Sequence, residues 1–143
     1  APKEIGTIST QNWYGALYFD IVPFRAKHGK VYMLLGIAQN KQFLTMKVID
    51  VLWFEEEKAF LGMPIFEFWK KDFLHRIVFE YNEDISITLL YEKENKRFVF
   101  DHLEPVNSGF VGDYRYYVPN STYDAYKKNV WKWVLQEDVI VGE

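Results

Sequence analysis

The feature that most constrains the fold is a set of extended segments that are apolar on both faces. The segment from Trp13 to Val22 carries apolar residues at both sets of alternate positions, and the segment from Met46 to Phe54 repeats this pattern. Because successive side chains of a strand point to opposite faces, a sheet with one wet face would alternate apolar with polar residues. Such strands need cover on both faces, from a second sheet, a neighbouring domain or a partner. The pattern therefore predicts stacked layers of sheet.

Turn signals divide the rest of the chain into short segments rich in Val, Ile, Phe, Tyr and Trp. Gly, Asn, Pro and charged residues interrupt these segments, which is typical of antiparallel sheets. The segments Arg76 to Tyr81, Ile85 to Glu92 and Arg97 to Leu103 are separated by tight turns and predict three consecutive paired strands. We expect an all-β fold in which an antiparallel meander forms a two-layer sandwich or a flattened barrel.

One short helical turn is expected near residues 121–129. Ser121 is followed three residues later by Asp124, a spacing that resembles a capping box. The turn would follow a tyrosine-rich strand from Asp113 to Val118. Because no repeat, low-complexity tract or linker divides the chain, residues 1–143 are interpreted as a single β-rich domain.

The composition supports one buried core and excludes several chemistries. The 143 residues are 49% hydrophobic and 19% aromatic, and the formal net charge of -3 provides no general attraction for nucleic acid. No apolar run reaches the roughly 18 residues needed to cross a bilayer, so the chain is expected not to span a membrane. The absence of cysteine excludes disulfides, thiolate metal sites and cysteine nucleophiles.

A family resemblance emerges when several stretches are considered in their order and spacing. These are Trp13 to Phe19, Lys30 to Gly36, Lys47 to Leu52, Gly62 to Phe66, Arg76 to Tyr81, Phe98 to Pro105, and Tyr114 to Asn120 followed by Tyr123 and Asp124. In them the chain resembles a group of poorly characterised exported proteins of Bacteroidetes-type bacteria. The resemblance implies the carboxy-terminal part of a longer exported protein, located in the periplasm or cell envelope of a Gram-negative bacterium. It implies no assigned activity, and the first residue, Ala1, is interpreted as the result of upstream removal.

The adjacent residues Asp101 and His102 form the most enzyme-like pair, because a carboxylate can orient an imidazole for base catalysis. Neighbours on a strand point to opposite faces, so these two could act together only across a bulge or at a strand end. We therefore expect structural roles for both. A further alternative uses paired carboxylates: Glu80, Asp101 and Asp113 lie near aromatic residues, and two of them about 5 to 10 Å apart could hydrolyse a glycoside.

Serine chemistry and metal binding have little support in the sequence. No serine lies in a Gly-x-Ser-x-Gly elbow, and His28, His75 and His102 are far apart in the chain. The possible oxygen ligands of the last third, including Asp113 and Asp124, lack the spacing of a calcium loop. We assign no catalytic, cofactor-binding or metal-binding residue and expect no cofactor.

The strongest functional signal is a cluster of aromatic residues in the last third of the chain. Tyr and Trp combine flat contact area with a polar tip, which suits them to recognition surfaces. Aromatic residues at alternate strand positions are also common on the inner face of a sheet, so core packing and a ligand or partner surface both stay open. The cluster comprises Tyr114, Tyr116, Tyr117, Tyr123, Tyr126, Trp131 and Trp133.

Together these features favour a non-enzymatic binding or assembly module of an exported cell-envelope protein, acting through aromatic and edge-strand surface. Its partner would be another envelope protein or the missing amino-terminal region, and the isolated domain would self-associate or lean on that region. Two alternatives stay open. A glycan-recognition module would expose Tyr and Trp rings in a row, and a small hydrolase would gather His102 or two carboxylates in a concave pocket.

Overall fold

The computed structural model describes residues 1–68 and 72–142, apart from the side chain of Asn40. It contains two six-stranded sheets, which confirms the expected all-β fold. The strands are β1 (Ile8–Ser9), β2 (Leu17–Ala26), β3 (Gly29–Lys41), β4 (Leu44–Glu55), β5 (Lys58–Leu61), β6 (Phe66–Phe68), β7 (Asp72–Leu74), β8 (Ile77–Asn82), β9 (Leu89–Glu92), β10 (Arg97–Pro105), β11 (Tyr117–Asn129) and β12 (Lys132–Val139). Short 3-10 turns lie at Thr10–Asn12, Ser108–Phe110 and Tyr114–Tyr116. Within the described ranges, no helix is long and apolar enough to cross a membrane.

The first sheet is organised around β4 and has the order β1-β5-β4-β3-β2, with β8 also paired to β4. β5 pairs with the Leu52 to Glu55 part of β4, and β8 pairs with the Leu44 to Ile49 part. Since β3 pairs along most of β4, the strands β5 and β8 share its other edge. The side chains of Val48, Ile49 and Val51 are completely buried, so the predicted cover on both faces is confirmed for β4.

The second sheet has the order β7-β6-β12-β11-β10-β9. Its described neighbours are antiparallel except for β12 and β6, which run parallel with Trp133 opposite Phe66. The inner faces of the two sheets enclose one core, to which Met33 and Val51 contribute from the first sheet and Phe98 and Trp133 from the second. The ring centroids of Phe98 and Trp133 are 4.7 Å apart. Large rings thus fill the space between the sheets.

The predicted three-strand meander is wrong in its pairing. β9 and β10 pair as expected, but β8 belongs to the other sheet and pairs with β4. The chain crosses between the sheets at residues 83–88, where Glu83 N–H donates to the Phe43 carbonyl at 3.0 Å. β5 covers only one part of the β4 edge, so the backbone N–H and C=O groups of the remaining part are free to pair with β8. If β8 formed a hairpin with β9 instead, those groups of β4 would stay unpaired.

The predicted helical turn near 121–129 is also wrong, because these residues belong to β11. The Asn120 side chain accepts hydrogen bonds from the Thr122 backbone N–H at 3.0 Å and from its hydroxyl at 2.6 Å. Ser121 has a φ of 72°, which suits a bulge and not a helix cap. β11 pairs with both β10 and β12, so sheet ladders satisfy the backbone groups that a helix would have paired internally.

A buried ion pair lies on the outer face of the first sheet. Arg76 Nε donates to Asp50 Oδ2 at 3.0 Å, and both side chains are almost completely buried. The Tyr14 hydroxyl donates to the same oxygen at 2.6 Å, while the guanidinium also donates to the carbonyls of Leu61 and Lys3. The segment before β2 is therefore fastened to the sheet by a polar network.

Candidate functional site

The aromatic cluster divides into buried rings and exposed rings. Trp133 is 1% exposed and Tyr126 is 4% exposed, and both lie in the core between the sheets. The Phe66 and Tyr126 rings meet edge to face with centroids 5.5 Å apart. Burial raises the pKa of the Tyr126 hydroxyl. These two members are core residues, so they offer no contact surface to a ligand.

The loop before β11 carries the exposed part of the cluster. Tyr114 and Tyr116 are 44% and 40% exposed, and Tyr116 stacks on Phe110 with centroids 4.1 Å apart. The predicted tyrosine-rich strand from Asp113 to Val118 is wrong for these two residues, because they form a 3-10 turn and β11 begins only at Tyr117. The Asp113 carboxylate caps that turn by accepting from the Arg115 backbone N–H at 3.3 Å.

Three other members of the cluster are half-buried. Tyr117 and Tyr123 lie on β11, and the Tyr117 hydroxyl accepts from the Gly112 N–H at 2.9 Å. Trp131 lies in the turn between β11 and β12 and lines a cleft of about 660 Å³. The exposed and half-buried rings therefore do not form one continuous row.

A small polar pocket of about 240 Å³ brings together several of the residues considered from sequence. Asp101 and His102 both line it, together with Glu80, Asp124 and Tyr114. The ladder between β10 and β11 shifts register between Asp101 and Leu103. That irregularity is the bulge which the adjacent pair requires if both residues are to face one site.

The partner of His102 is Asp124, not the adjacent Asp101. His102 Nδ1 lies 2.7 Å from Asp124 Oδ2, whereas the Asp101 carboxylate accepts from the Thr88 backbone N–H at 2.6 Å. Asp124 Oδ1 also accepts from the Asp138 N–H at 3.1 Å. From the sequence, Asp124 is interpreted as part of a helix cap, and its separation of 22 residues from His102 leaves no local signal of the pair.

The hydrogen bond with Asp124 raises the pKa of His102, and partial burial opposes this change. Glu104 and Glu137 raise the pKa of His102 further. The imidazole is 41% exposed, so solvent reaches it. With a proton on Nδ1 shared with Asp124, the neutral ring presents Nε2 as a hydrogen-bond and proton acceptor to a ligand in the pocket.

The carboxylates named for glycoside hydrolysis are only partly brought together. Glu80 and Asp101 line the same pocket, while Asp113 lies outside it and is bound by the Arg115 guanidinium at 2.7 and 2.9 Å. That guanidinium lowers the pKa of Asp113. Asp113 therefore has a structural role in the loop before β11.

The histidines lie in different parts of the fold. His28 is in the turn between β2 and β3, and His75 precedes β8, where burial first and then Arg76 lower its pKa. No group of three His, Asp or Glu side chains in residues 1–68 and 72–142 is arranged to hold a metal ion.

Several exposed apolar side chains lie on the first part of β2 and in the segment before it. Leu17 is 78% exposed, Phe19 49% and Ile21 59%, although all lie in or beside regular sheet. Ile21 is adjacent to Val22, which packs against the core, so Ile21 projects from the outer face. Leu17 pairs with Ile37 of β3, which lies two residues from the core residue Leu35 and therefore on the same face of that strand. Leu17 accordingly projects from the inner face. The first part of β2, from Leu17 to Ile21, is thus an edge segment with exposed apolar side chains on both faces, whereas Phe24 and Ala26 farther along the strand are buried in the core.

Comparison with family models, with curated proteins and with solved structures finds no match. The resemblance to exported proteins of Bacteroidetes-type bacteria therefore stays a prediction.

Proposed function

We propose that this chain is a non-enzymatic binding or assembly domain of an exported cell-envelope protein, and that β2 is its docking edge. The uncovered apolar side chains on both faces of β2 carry this proposal. A partner that only touches one face of a sheet leaves the other face wet. A partner that adds an extended segment to the edge covers both faces at once and also satisfies the free backbone groups.

The edge limits where such a segment can pair. Pro23 lacks a backbone N–H and lies within β2, where it is tolerated because the strand is at an edge. The most exposed apolar residues of β2, which are Leu17, Phe19 and Ile21, precede it. We expect the partner segment, contributed by another envelope protein, to pair with the part of β2 before Pro23.

Site-specific crosslinking in the organism that makes the protein tests this proposal. A photoreactive amino acid at Phe19 or Ile21 should give an adduct with another envelope protein, and the protein should fractionate with the envelope. The matched control is Val130, which is 77% exposed but lies in the turn between β11 and β12. An adduct only with a second copy, equal adducts from position 130, or recovery in the cytosolic fraction would overturn the proposal.

The partner segment, once identified, should protect the backbone amides of β2 from hydrogen exchange when the two purified components are mixed. Leu17→Ser combined with Phe19→Ser should weaken binding by about tenfold or more, because each removes an apolar side chain from a desolvated contact. Both side chains are exposed in the free chain, so the fold should tolerate the change. A circular dichroism spectrum and melting temperature close to those of the wild type would verify this.

Glycan recognition is a second candidate, which the exposed Tyr114 and Tyr116 rings beside the polar pocket favour. Carboxylates and an imidazole are acceptors for sugar hydroxyls, and an exposed ring supplies an apolar face. Calorimetric titration with envelope polysaccharides should then show weak binding that Tyr114→Ala abolishes. Val106→Ala, at another exposed apolar site, is the control. The absence of any heat of binding would remove this candidate.

A further inference from the structure

A second concave site lies at the end of the sandwich opposite the polar pocket. The pocket borders β8, which pairs with the first half of β4, whereas the cleft of about 660 Å³ borders Trp53 to Glu55 at the other end of that strand. Cavities of this size are typical of small-molecule sites. The proposed docking edge does not use this cleft, and the ligand or partner surface expected from the sequence includes only one of its lining residues, Trp131.

The walls of the cleft are mostly apolar. Trp53, Met63 and Trp131 line it, and its inner part reaches Val31 and Ile65, which are both 3% exposed. The indole N–H of Trp53 donates to the Gly62 carbonyl at 2.9 Å, which fixes that ring in place. A rigid apolar wall of this kind favours an apolar chain or ring over a sugar or a nucleotide.

The mouth of the cleft is cationic. The Lys27 ammonium lies 5.9 Å from the centroid of the Trp131 ring. Among the described residues it forms no ion pair. His28 and Lys30 also line the mouth, and Glu55 is the one carboxylate among the described lining residues. Glu55 lies opposite Lys58 in the ladder between β4 and β5. An apolar interior with an uncompensated ammonium at its entrance is complementary to an amphipathic anion.

We propose that this cleft binds a small amphipathic carboxylate, with its apolar chain between Trp53, Met63 and Trp131 and its carboxylate beside Lys27. The binding is independent of the docking edge on β2, so either proposal can fail without the other. Decanoate is a suitable probe, and decanol and decylamine have chains of equal length with a neutral or a cationic head.

The methionines supply a site-resolved readout. The chain has 3 Met residues, of which Met63 lines the cleft while Met33 and Met46 are buried elsewhere at 0% and 1% exposure. In a sample labelled with carbon-13 at the methionine methyl groups, decanoate below its micelle-forming concentration should shift the Met63 signal. The Met33 and Met46 signals should stay in place and serve as internal controls.

Charge variants test the head-group contact. Lys27→Gln should raise the Kd for decanoate by about three- to fivefold, the range of one exposed charge pair, and should leave decanol binding unchanged. Lys41→Gln is the matched control, because Lys41 is an exposed lysine at the end of β3 that is far from the cleft, and it does not line the cleft. The Met33 and Met46 signals also report whether each variant keeps its core.

Several results would overturn the proposal. Equal affinity for decanoate, decanol and decylamine would show that the mouth does not select an anion. Shifts of all three methionine signals together would indicate general unfolding, and no shift of Met63 at any concentration would show that the cleft stays empty. Equal losses in Lys27→Gln and Lys41→Gln would assign the effect to net charge and not to the site.

Discussion

Two acid–base pairs in this protein share their chemistry and differ in their surroundings. Asp50 and Arg76 are 0% and 1% exposed on the outer face of the first sheet. Asp124 and His102 are 11% and 41% exposed in the polar pocket. Burial raises the pKa of Asp50 despite the nearby guanidinium, whereas the hydrogen bond to Asp124 raises the pKa of His102. Desolvation thus dominates one pair and hydrogen bonding the other.

This difference in exposure distinguishes a pair with a structural role from a pair that a ligand can reach. Both oxygens of Asp50 are hydrogen-bonded, since Oδ2 is bound by Arg76 and Tyr14 and Oδ1 accepts from the Val51 N–H at 2.8 Å. Because the side chain is also 0% exposed, a ligand in solution has no access to this carboxylate. In contrast, His102 contacts Asp124 through Nδ1, and its solvent-accessible ring lines the pocket. The buried pair should control stability and the open pair should control chemistry at the pocket.

The largest expected effect is that of breaking the buried pair. Arg76→Leu should destabilise the protein by about 3–5 kcal/mol, because it leaves the Asp50 charge buried without its cationic partner. Urea denaturation measures this loss, and Arg115→Leu, which breaks an exposed pair with Asp113, is the control with little expected change. The double variant Asp50→Leu with Arg76→Leu should recover much of the stability, because no buried charge remains. A double variant as unstable as Arg76→Leu would contradict this explanation.

A smaller effect is expected when the hydroxyl that supports the buried pair is removed. Tyr14→Phe deletes the donor to Asp50 Oδ2 and should cost about 1–3 kcal/mol, since a buried carboxylate loses one of its hydrogen bonds. Tyr116→Phe, on the exposed loop, should not change the urea midpoint. If Tyr14→Phe were equally neutral, the segment before β2 would not be fastened through Asp50.

The sequence predicted the layers but not this pair. Alternation of apolar residues is local and identifies strands such as β4, so the all-β class followed from it. The one signal in the sequence is that Asp50 is a lone carboxylate between the apolar residues Ile49 and Val51 of β4. A charge buried in such a strand requires a partner, so the sequence indicates that a partner exists. The position of Arg76 could not be deduced, because β8 reaches β4 across the fold and not through a hairpin.

The polar pocket was predictable only in part for the same reason. The enzyme-like character of His102 was visible, and the need for a bulge next to Asp101 followed from strand geometry. The partner Asp124 was assigned to a helix cap because Ser121 precedes it at capping distance. The Asn120 hydrogen bonds to Thr122 and the pairing of β11 with two neighbours override that local preference. The pairing of β11 in the sheet therefore determines the position of Asp124, although the local spacing of residues predicts a helical turn.

The open pair should make a small, pH-dependent contribution to stability. The folded-state pKa of His102 is raised above the ordinary value of 6.5, so the stabilisation is complete below about pH 6.5 and is lost as the pH rises through the folded-state pKa. Because the imidazole is partly exposed, its size should stay below about 1 kcal/mol. Comparing wild type with His102→Gln in urea at acidic and alkaline pH measures it. An advantage of the wild type that grows with pH would have the wrong sign.

The smallest expected effect distinguishes the two pairs by their response to salt. The Debye length falls to about 3 Å at 1 M salt, so the exposed charges around His102, including Glu104 and Glu137, should be screened. An NMR titration of the imidazole should give a pKa for His102 that moves down towards 6.5 as salt is added and moves further in Asp124→Asn. The destabilisation by Arg76→Leu should be almost independent of salt, because ions do not enter the buried site. If salt reduced that destabilisation as strongly as it shifted the titration of His102, the Asp50 and Arg76 side chains would have to be open to solvent, and the contrast between a structural and an available pair would fail.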